Sequence, residues 1–231
     1  MTSSIPSHPL PSGHHLAIPI PDHHRPSTIS PGLYLSSRKP TQDPSMLSQI
    51  GITAVLSILT AREARELHLH PNQAPDPSQS SPDSPPRLRR QWIEMRDSRR
   101  ANLLVRLGDA CDFIDAEIAA ATTTTTAAAV VGGEDEERRR DGGKVLVHCW
   151  AARSRSAAVA AAYLMRWMRW TAAQALGHVA AARPDVRPNP GFVRQLEVWK
   201  ACGYDIWEAY GYTSGGRTST TSGRRRRRAM G

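Results

Sequence analysis

The sequence predicts an α/β fold, a mostly parallel central sheet with helices on both faces, from three observations. Short apolar runs alternate with helix-forming stretches along the chain. The run Lys144 to His148 (KVLVH) is continuously apolar rather than alternating, as a central strand covered on both sides should be. The stretch that follows it from Ser156, SAAVAAAYLMRWMRW, is dense in helix formers.

Taken in order, Gly32 to Ser36 (GLYLS) and Ile52 to Leu59 (ITAVLSIL) read as strands, and Gln91 to Met95 as a third, short one. Between the first two, Asp43-Pro44 has the form of an N-cap followed by proline at the first helical position. Ala101 to Ile118 places apolar residues at 103, 104, 107, 110, 111, 114 and 118, the stripe of an amphipathic helix. Cys111 falls in that stripe and reads as a small buried hydrophobe. Two further helices are expected, over Thr171 to Ala182 and from Pro190 through Lys200.

Composition sets the domain limits. Residues 1–27, 71–90, 121–143 and 212–231 are rich in Pro, Ser, Thr, Gly, Ala or charge and poor in large apolar side chains. They are expected as a disordered N-terminus, two low-complexity loop insertions and a disordered basic tail around one domain at 28–211. Such insertions cost little, because loop-closure entropy grows only logarithmically with length. Of the formal charge of +9, Arg224 to Arg228 supply five, so the remainder is mildly basic. A folded nucleic-acid-binding face, with aromatics among its basic residues, is not what this pattern suggests. The tail itself reads as a nuclear targeting signal, a contact to nucleic acid or an acidic surface, or a solubilising end.

Cys111, Cys149 and Cys202 are too widely spaced for a disulfide framework or a zinc pair, which suits a reducing compartment. With no secretory apolar segment, and a longest apolar run (Ala157 to Met165) too short to span a bilayer, a cytoplasmic or nuclear location is expected. His14-His15 and His23-His24 lack carboxylate or cysteine partners, so no metal is expected. Oligomeric state leaves no mark in the sequence.

Chemistry concentrates in Val145-Leu-Val-His148-Cys149-Trp150-Ala151-Ala152-Arg153-Ser154-Arg155-Ser156. A loop closing into a helix N-terminus turns successive N–H groups inward, and with the helix dipole they form an anion cradle of phosphate size. The same donors favour a thiolate at Cys149, making it a nucleophile. Arg155 can hold two phosphate oxygens with its planar fork. Ser156 is expected to donate to the cysteine sulfur, and His148 to orient the loop.

This HC-x5-RS pattern after an apolar strand resembles the hallmark of protein tyrosine phosphatases, and VLVHCWAARSRSAAVAAAYLM is similar to the dual-specificity subfamily in its small atypical form. Upstream, ISPGLYLSS and GITAVLSIL are similar to that family's opening strands. Downstream, RPDVRPNPGFVRQLEVW is similar to its closing helix, with Asn189 at a position that often steadies the phosphate loop. The resemblance covers most of residues 28 to 205. It implies the dual-specificity phosphatase fold and hydrolysis of phosphotyrosine and phosphoserine or phosphothreonine in protein substrates, through a phosphocysteine intermediate and without a cofactor. It also implies a general acid five residues before an Asn-Leu pair that opens a helix, a spacing met by Asp97 and Asn102-Leu103. Asn102 itself reads as a cap or loop support.

One position departs from the family, which usually has glycine three residues after the cysteine where this chain has Ala152. A left-handed alanine costs roughly 1–2 kcal/mol. Two other readings accompany the first: a phosphate-binding module in which Ala152 spoils turnover, and, with the chemistry kept, a phosphatase of a non-protein substrate such as a phosphoinositide. Arg153 reads either as a second cation for the substrate or, preferably, as a solvent-facing rim residue. Trp150 faces the substrate or packs under the loop, and Cys202 is packing or a redox partner for Cys149.

Overall fold

The computed structural model describes residues 25–69, 88–124 and 142–206. At their centre lies β5 (Val145–His148), four residues buried on both sides because each face meets a different layer. The strands before it are β1 (Ser27–Ser30), β2 (Leu33–Ser36), β3 (Ala54–Leu59) and β4 (Arg89–Glu94). Among the described residues they form one sheet in the order β1-β2-β5-β3-β4. Only β1 runs antiparallel, as a hairpin on β2 turned at Gly32 with φ of 76°. The other pairs are parallel, with Leu35, Val147 and Leu56 in register across the middle.

Side-chain alternation divides the core. Leu33, Leu35, Ala54, Leu56, Ile58, Val145 and Val147 face a large layer of helices: α3 (Leu104–Thr124), α4 (Arg155–Met168), α5 (Ala172–Ala182) and α6 (Pro190–Ala201). On the other face Val55 and Leu146 meet Leu47 of α1 (Pro44–Ile50) and Ile52 just past its end. A short α2 (Ala61–Glu66) follows β3. Helices on both faces of a largely parallel sheet are thus present, unequally shared. Helix α4 is buried from Arg155 to Met165, and its run of alanines lets neighbouring helices approach closely enough for Trp199 Nε1 on α6 to donate to the carbonyl of Ala162 at 3.3 Å.

The expected elements are present with shifted ends. Asp43 caps α1, its carboxylate accepting from the N–H groups of Ser45 and Met46, and Pro44 is its first residue. Strand β3 starts at Ala54, two residues later than its apolar run, since Thr53 N–H and Ala54 N–H both turn to the carbonyl of Lys144. Helix α3 starts at Leu104 and runs on to Thr124, past the last residue of its apolar stripe, and β4 begins at Arg89, so each expected insertion overlaps an element by a few residues. Residues 71–87 and 125–141 of the insertions, the His pairs and the Arg224 to Arg228 tail lie outside the described residues. Strand β1 and helix α2 are additions that the apolar pattern did not mark: one is a four-residue edge strand, the other a six-residue helix with only Ala64 buried. No helix among the described residues is long and apolar enough to cross a membrane.

The approach to β5 passes close to α3. A Cβ on Gly143 would lie 1.9 Å from the carbonyl oxygen of Glu117 and 2.9 Å from its carbon, and neither is a side-chain tip that can swing away. Gly143→Ala is therefore expected to lower the unfolding free energy by about 2 kcal/mol or more, read from urea denaturation, with Gly142→Ala as the neighbouring control.

Candidate active site

Three adjacent parallel strands end on one side of the sheet, and what each delivers there is set by the residues just past its end. Strand β5 leads into Cys149 and the loop to Arg155. Strand β3 leads into Thr60, which caps α2 reciprocally with Glu63: Glu63 N–H donates to Thr60 Oγ1 at 3.2 Å and Thr60 N–H donates to Glu63 Oε2 at 2.8 Å. Strand β4 leads into Met95 and Asp97.

Arg155 joins all three. Its Nη1 and Nη2 donate to the two oxygens of Glu63 as a fork, the second at 2.8 Å, and Nη1 also donates to the carbonyl of Met95 at 3.1 Å. Burial alone pushes the Glu63 carboxyl up, yet its bonds with Arg155 and the N–H of Thr60 outweigh that and hold it below the usual carboxylate range. Burial likewise pulls Arg155 down, and Glu63 more than restores it, so the guanidinium is held firmly charged. Its Nε–H remains a buried donor without a partner among the described residues. Glu63 was not among the residues singled out from sequence, although Thr60-Ala-Arg-Glu63 carries the capping-box signature directly after a strand.

The loop is held from outside. The carbonyl of Trp150 accepts from the backbone N–H of Arg38 at 3.4 Å and from its Nη1 at 3.2 Å, while the Arg38 guanidinium lies 3.8 Å from the centre of the Trp150 ring. The carbonyl of Arg153 accepts from Arg187 N–H at 2.6 Å. In a trans peptide C=O and N–H point oppositely, so carbonyls turned outward at 150 and 153 turn the N–H groups of Ala151 and Ser154 inward. Ala152, fully buried, has φ of 58°: the alanine adopts the left-handed conformation that glycine would supply. Ala151 and Arg153 are exposed, and the Trp150 ring packs against Arg38, half-buried.

Within this frame Cys149 is buried, and Ser156 Oγ donates to its sulfur at 3.1 Å. Asp97 is exposed but tethered, its Oδ1 accepting from Ser154 Oγ and from Asn189 Nδ2, each at 2.7 Å. Asn189 also caps α6 and donates its backbone N–H to Ser154 Oγ at 3.0 Å. The hydroxyl of Ser154 is therefore committed to Asp97 and Asn189, which leaves its N–H, one of the loop donors expected to face phosphate, for an anion. Gly191 permits this docking: a Cβ there would lie 2.2 Å from the carbonyl oxygen of Arg99 in the Asp97 loop. Asn102 Oδ1 accepts from Val105 N–H at 3.5 Å, at the start of α3. Cys111 is buried in the core, where desolvation pushes its thiol up to about 12, and Cys202 ends α6. No cluster of three or more metal-ligating side chains occurs among the described residues.

The His148 ring is fully buried, with Nε2 bonded to Ser57 Oγ on β3 at 2.7 Å. Burial pushes its pKa down to about 4, against a smaller opposing contribution from the backbone of Cys149. In the unfolded chain it titrates near 6.5, so between these values the unfolded state binds the extra proton and stability rises with pH. This contribution, about 3 kcal/mol, is complete above pH 6.5 and is lost as pH falls to about 4. Urea midpoints measured from pH 4.5 to 7 should climb with pH, and His148→Gln should flatten that slope. Glu63→Ala, which strips the buried Arg155 of its forked partner, should cost about 2–3 kcal/mol in the same assay at pH 7, the low end for a broken buried pair because Glu63 is partly exposed.

Comparisons with known proteins bear on the family of the chain. Residues 135–202 match the family model described as dual specificity phosphatase, catalytic domain. The chain is 31% identical over 176 residues to dual specificity protein phosphatase 1 of Arabidopsis thaliana, covering 76% of this chain and 69% of that protein. It is 29% identical over 180 residues to tyrosine-protein phosphatase yvh1 of Schizosaccharomyces pombe, covering 78% of this chain but only 43% of that protein. Among solved structures, a human tyrosine phosphatase-like serine/threonine/tyrosine-interacting protein superposes with a TM-score of 0.59 at 25% identity, covering 77% of this chain and 97% of that one.

Proposed function

The chain belongs to the dual-specificity phosphatase family, and on that premise we propose that it hydrolyses phosphotyrosine and phosphoserine or phosphothreonine in proteins through a phosphocysteine intermediate. The observation that carries the reading is the convergence of Cys149, the Glu63-held Arg155 and the tethered Asp97 on one loop of inward N–H groups.

In the first step the Cys149 sulfur attacks phosphorus and the bond from phosphorus to the leaving oxygen breaks. Asp97 gives that oxygen its proton, from Oδ2, since Oδ1 is occupied by Ser154 and Asn189. Arg155 and the loop N–H groups hold the equatorial oxygens, where charge accumulates. In the second step Asp97, now a carboxylate, takes a proton from water; the water oxygen bonds to phosphorus and the sulfur leaves as thiolate. The Ser156 hydroxyl, 3.1 Å from that sulfur, lowers the cost of its departure. Pre-formed donors of this kind need no reorganisation as the reaction proceeds, and that is their catalytic value.

A second reading, a phosphate-binding module without turnover, draws on Ala152 and on the likeness to the human protein whose name is tyrosine phosphatase-like. Against it stands the conformation of Ala152, which leaves the N–H groups on either side aimed as a glycine would leave them. Aryl phosphate hydrolysis from pH 5 to 8 separates the two. Wild type is expected to turn over equally with and without chelator, Cys149→Ser to be inactive, and Asp97→Asn to lose about 100-fold, most with poor leaving groups. Ala152→Gly should stay within about threefold of wild type, its strain being a stability cost of about 1 kcal/mol already met by folding. Inactive wild type that binds vanadate and gains turnover with Ala152→Gly would establish the binding module instead.

A further inference from the structure

We infer that the mouth of this site is built for a phosphopeptide that carries further anionic groups beside its phosphoresidue. The inference rests on the phosphatase reading and adds the class of substrate. Six arginines stand on the segments that frame the loop: Arg38, Arg96, Arg99, Arg100, Arg153 and Arg187. The contacts already described fasten these segments to the loop or to each other: Arg38 to Trp150, Arg187 to Arg153, and the Asp97 segment to Ser154 and Asn189. All the side chains except that of Arg38 are exposed, and none of the six is in an ion pair among the described residues.

Arg62, Arg89, Arg155 and Arg166 each meet a carboxylate, whereas exposed Arg65, Arg106 and Arg194 do not, so what sets the six apart is that they gather about one loop. At the mouth the carboxylates on the same segments are Asp97, whose Oδ1 is taken by Ser154 and Asn189, and Asp185. Solvated arginines scattered over a surface need no explanation, but like charges gathered at one rim repel one another and raise the local potential toward anions. Arg38 has a structural task in its contact with Trp150; the guanidinium groups of Arg96, Arg99, Arg100 and Arg153 have none, which leaves a ligand as their use.

Two sources of extra negative charge are a peptide with acidic or phosphorylated neighbours and an anionic lipid surface, and the placement of apolar side chains favours the first. A face that docks on a membrane sets exposed apolar groups beside its cations. Among the described residues the exposed large hydrophobic ones are Trp167, Met168 and Val198. Trp167 and Met168 close α4, which starts at Arg155 in the site, so they stand about 18 Å along the helix from the mouth. Val198 is eight residues into α6, about 12 Å from its capped end. Among the described residues the mouth is cationic without an apolar wedge.

The test uses the full chain, an aryl phosphate, and two phosphotyrosyl peptides that differ only in carrying glutamates or alanines beside the phosphotyrosine. At low ionic strength kcat/KM for the acidic peptide should exceed that for the alanine peptide by about tenfold, the combined effect of two or three exposed ion pairs. The gap should close by about 0.5 M salt. The neutralising pair Arg99→Gln with Arg100→Gln should abolish the preference and leave kcat for the aryl phosphate unchanged. If aryl phosphate is hydrolysed and the two peptides are used equally, the rim has no such role while the phosphatase reading stands. If aryl phosphate is not hydrolysed, that reading fails, and titration of the peptides decides the rim: about tenfold tighter binding of the acidic one supports it, and equal binding overturns it. Vesicles bearing a phosphoinositide that are hydrolysed faster than the acidic peptide would overturn it in favour of a lipid substrate.

Discussion

A guanidinium in the core of a small domain has to be answered by a carboxylate, and the answer given to Arg155 organises everything around the pocket. Glu63 fills two of its donors and the Met95 carbonyl shares one, so the side chain has a single orientation. The same carboxylate is also the reciprocal cap of α2. One group thus fixes where the chain turns after β3, how the segment after β4 lies, and which edge of Arg155 faces the loop. A lysine could keep the charge but not these three directions at once.

The loop obeys a related economy. An anion site made of N–H groups needs its carbonyls to face elsewhere and to be satisfied there, or the loop will turn over. Arg38 and Arg187 supply those outward partners from two different connections, one after β2 and one between α5 and α6. Ser154 adds a third outward tie, and through Asn189 and Asp97 it couples the loop to the acid segment. The parts proposed to move protons and the part proposed to hold phosphate are therefore braced by one network rather than separately.

How much of this was legible follows from what each feature depends on. Strand β5, helix α4 and the Asp43 cap were readable because apolar runs, alanine density and capping are properties of contiguous residues. Cys149 and Ser156 were readable because their spacing alone brings them together across one turn of loop. Asp97 and Asn189 were readable only through resemblance, since their meeting at 2.7 Å joins residues 92 apart in sequence. Glu63 and Arg38 were missed for the same reason without the help of a resemblance: each lies far along the chain from its partner in the loop, Arg38 on a short connection and Glu63 on a six-residue helix too short to show periodicity. The direction of the Arg153 and Trp150 side chains depended on neighbours from other strands, so sequence left two readings of each.

Ala152 shows how a local departure can be absorbed. A left-handed alanine costs about 1–2 kcal/mol relative to a relaxed one. Its methyl group is fully buried among core residues, worth about 0.8 kcal/mol. Alanine also restricts the unfolded chain more than glycine would, by about 0.4–1 kcal/mol in favour of the fold. The terms nearly cancel, so the backbone conformation needs glycine less than its φ suggests. What holds Ala152 at 58° is the bracing on either side of it, at Trp150 and Arg153, and a loop pinned at both of those carbonyls has no lower-energy shape to relax into without giving up bonds from Arg38 or Arg187.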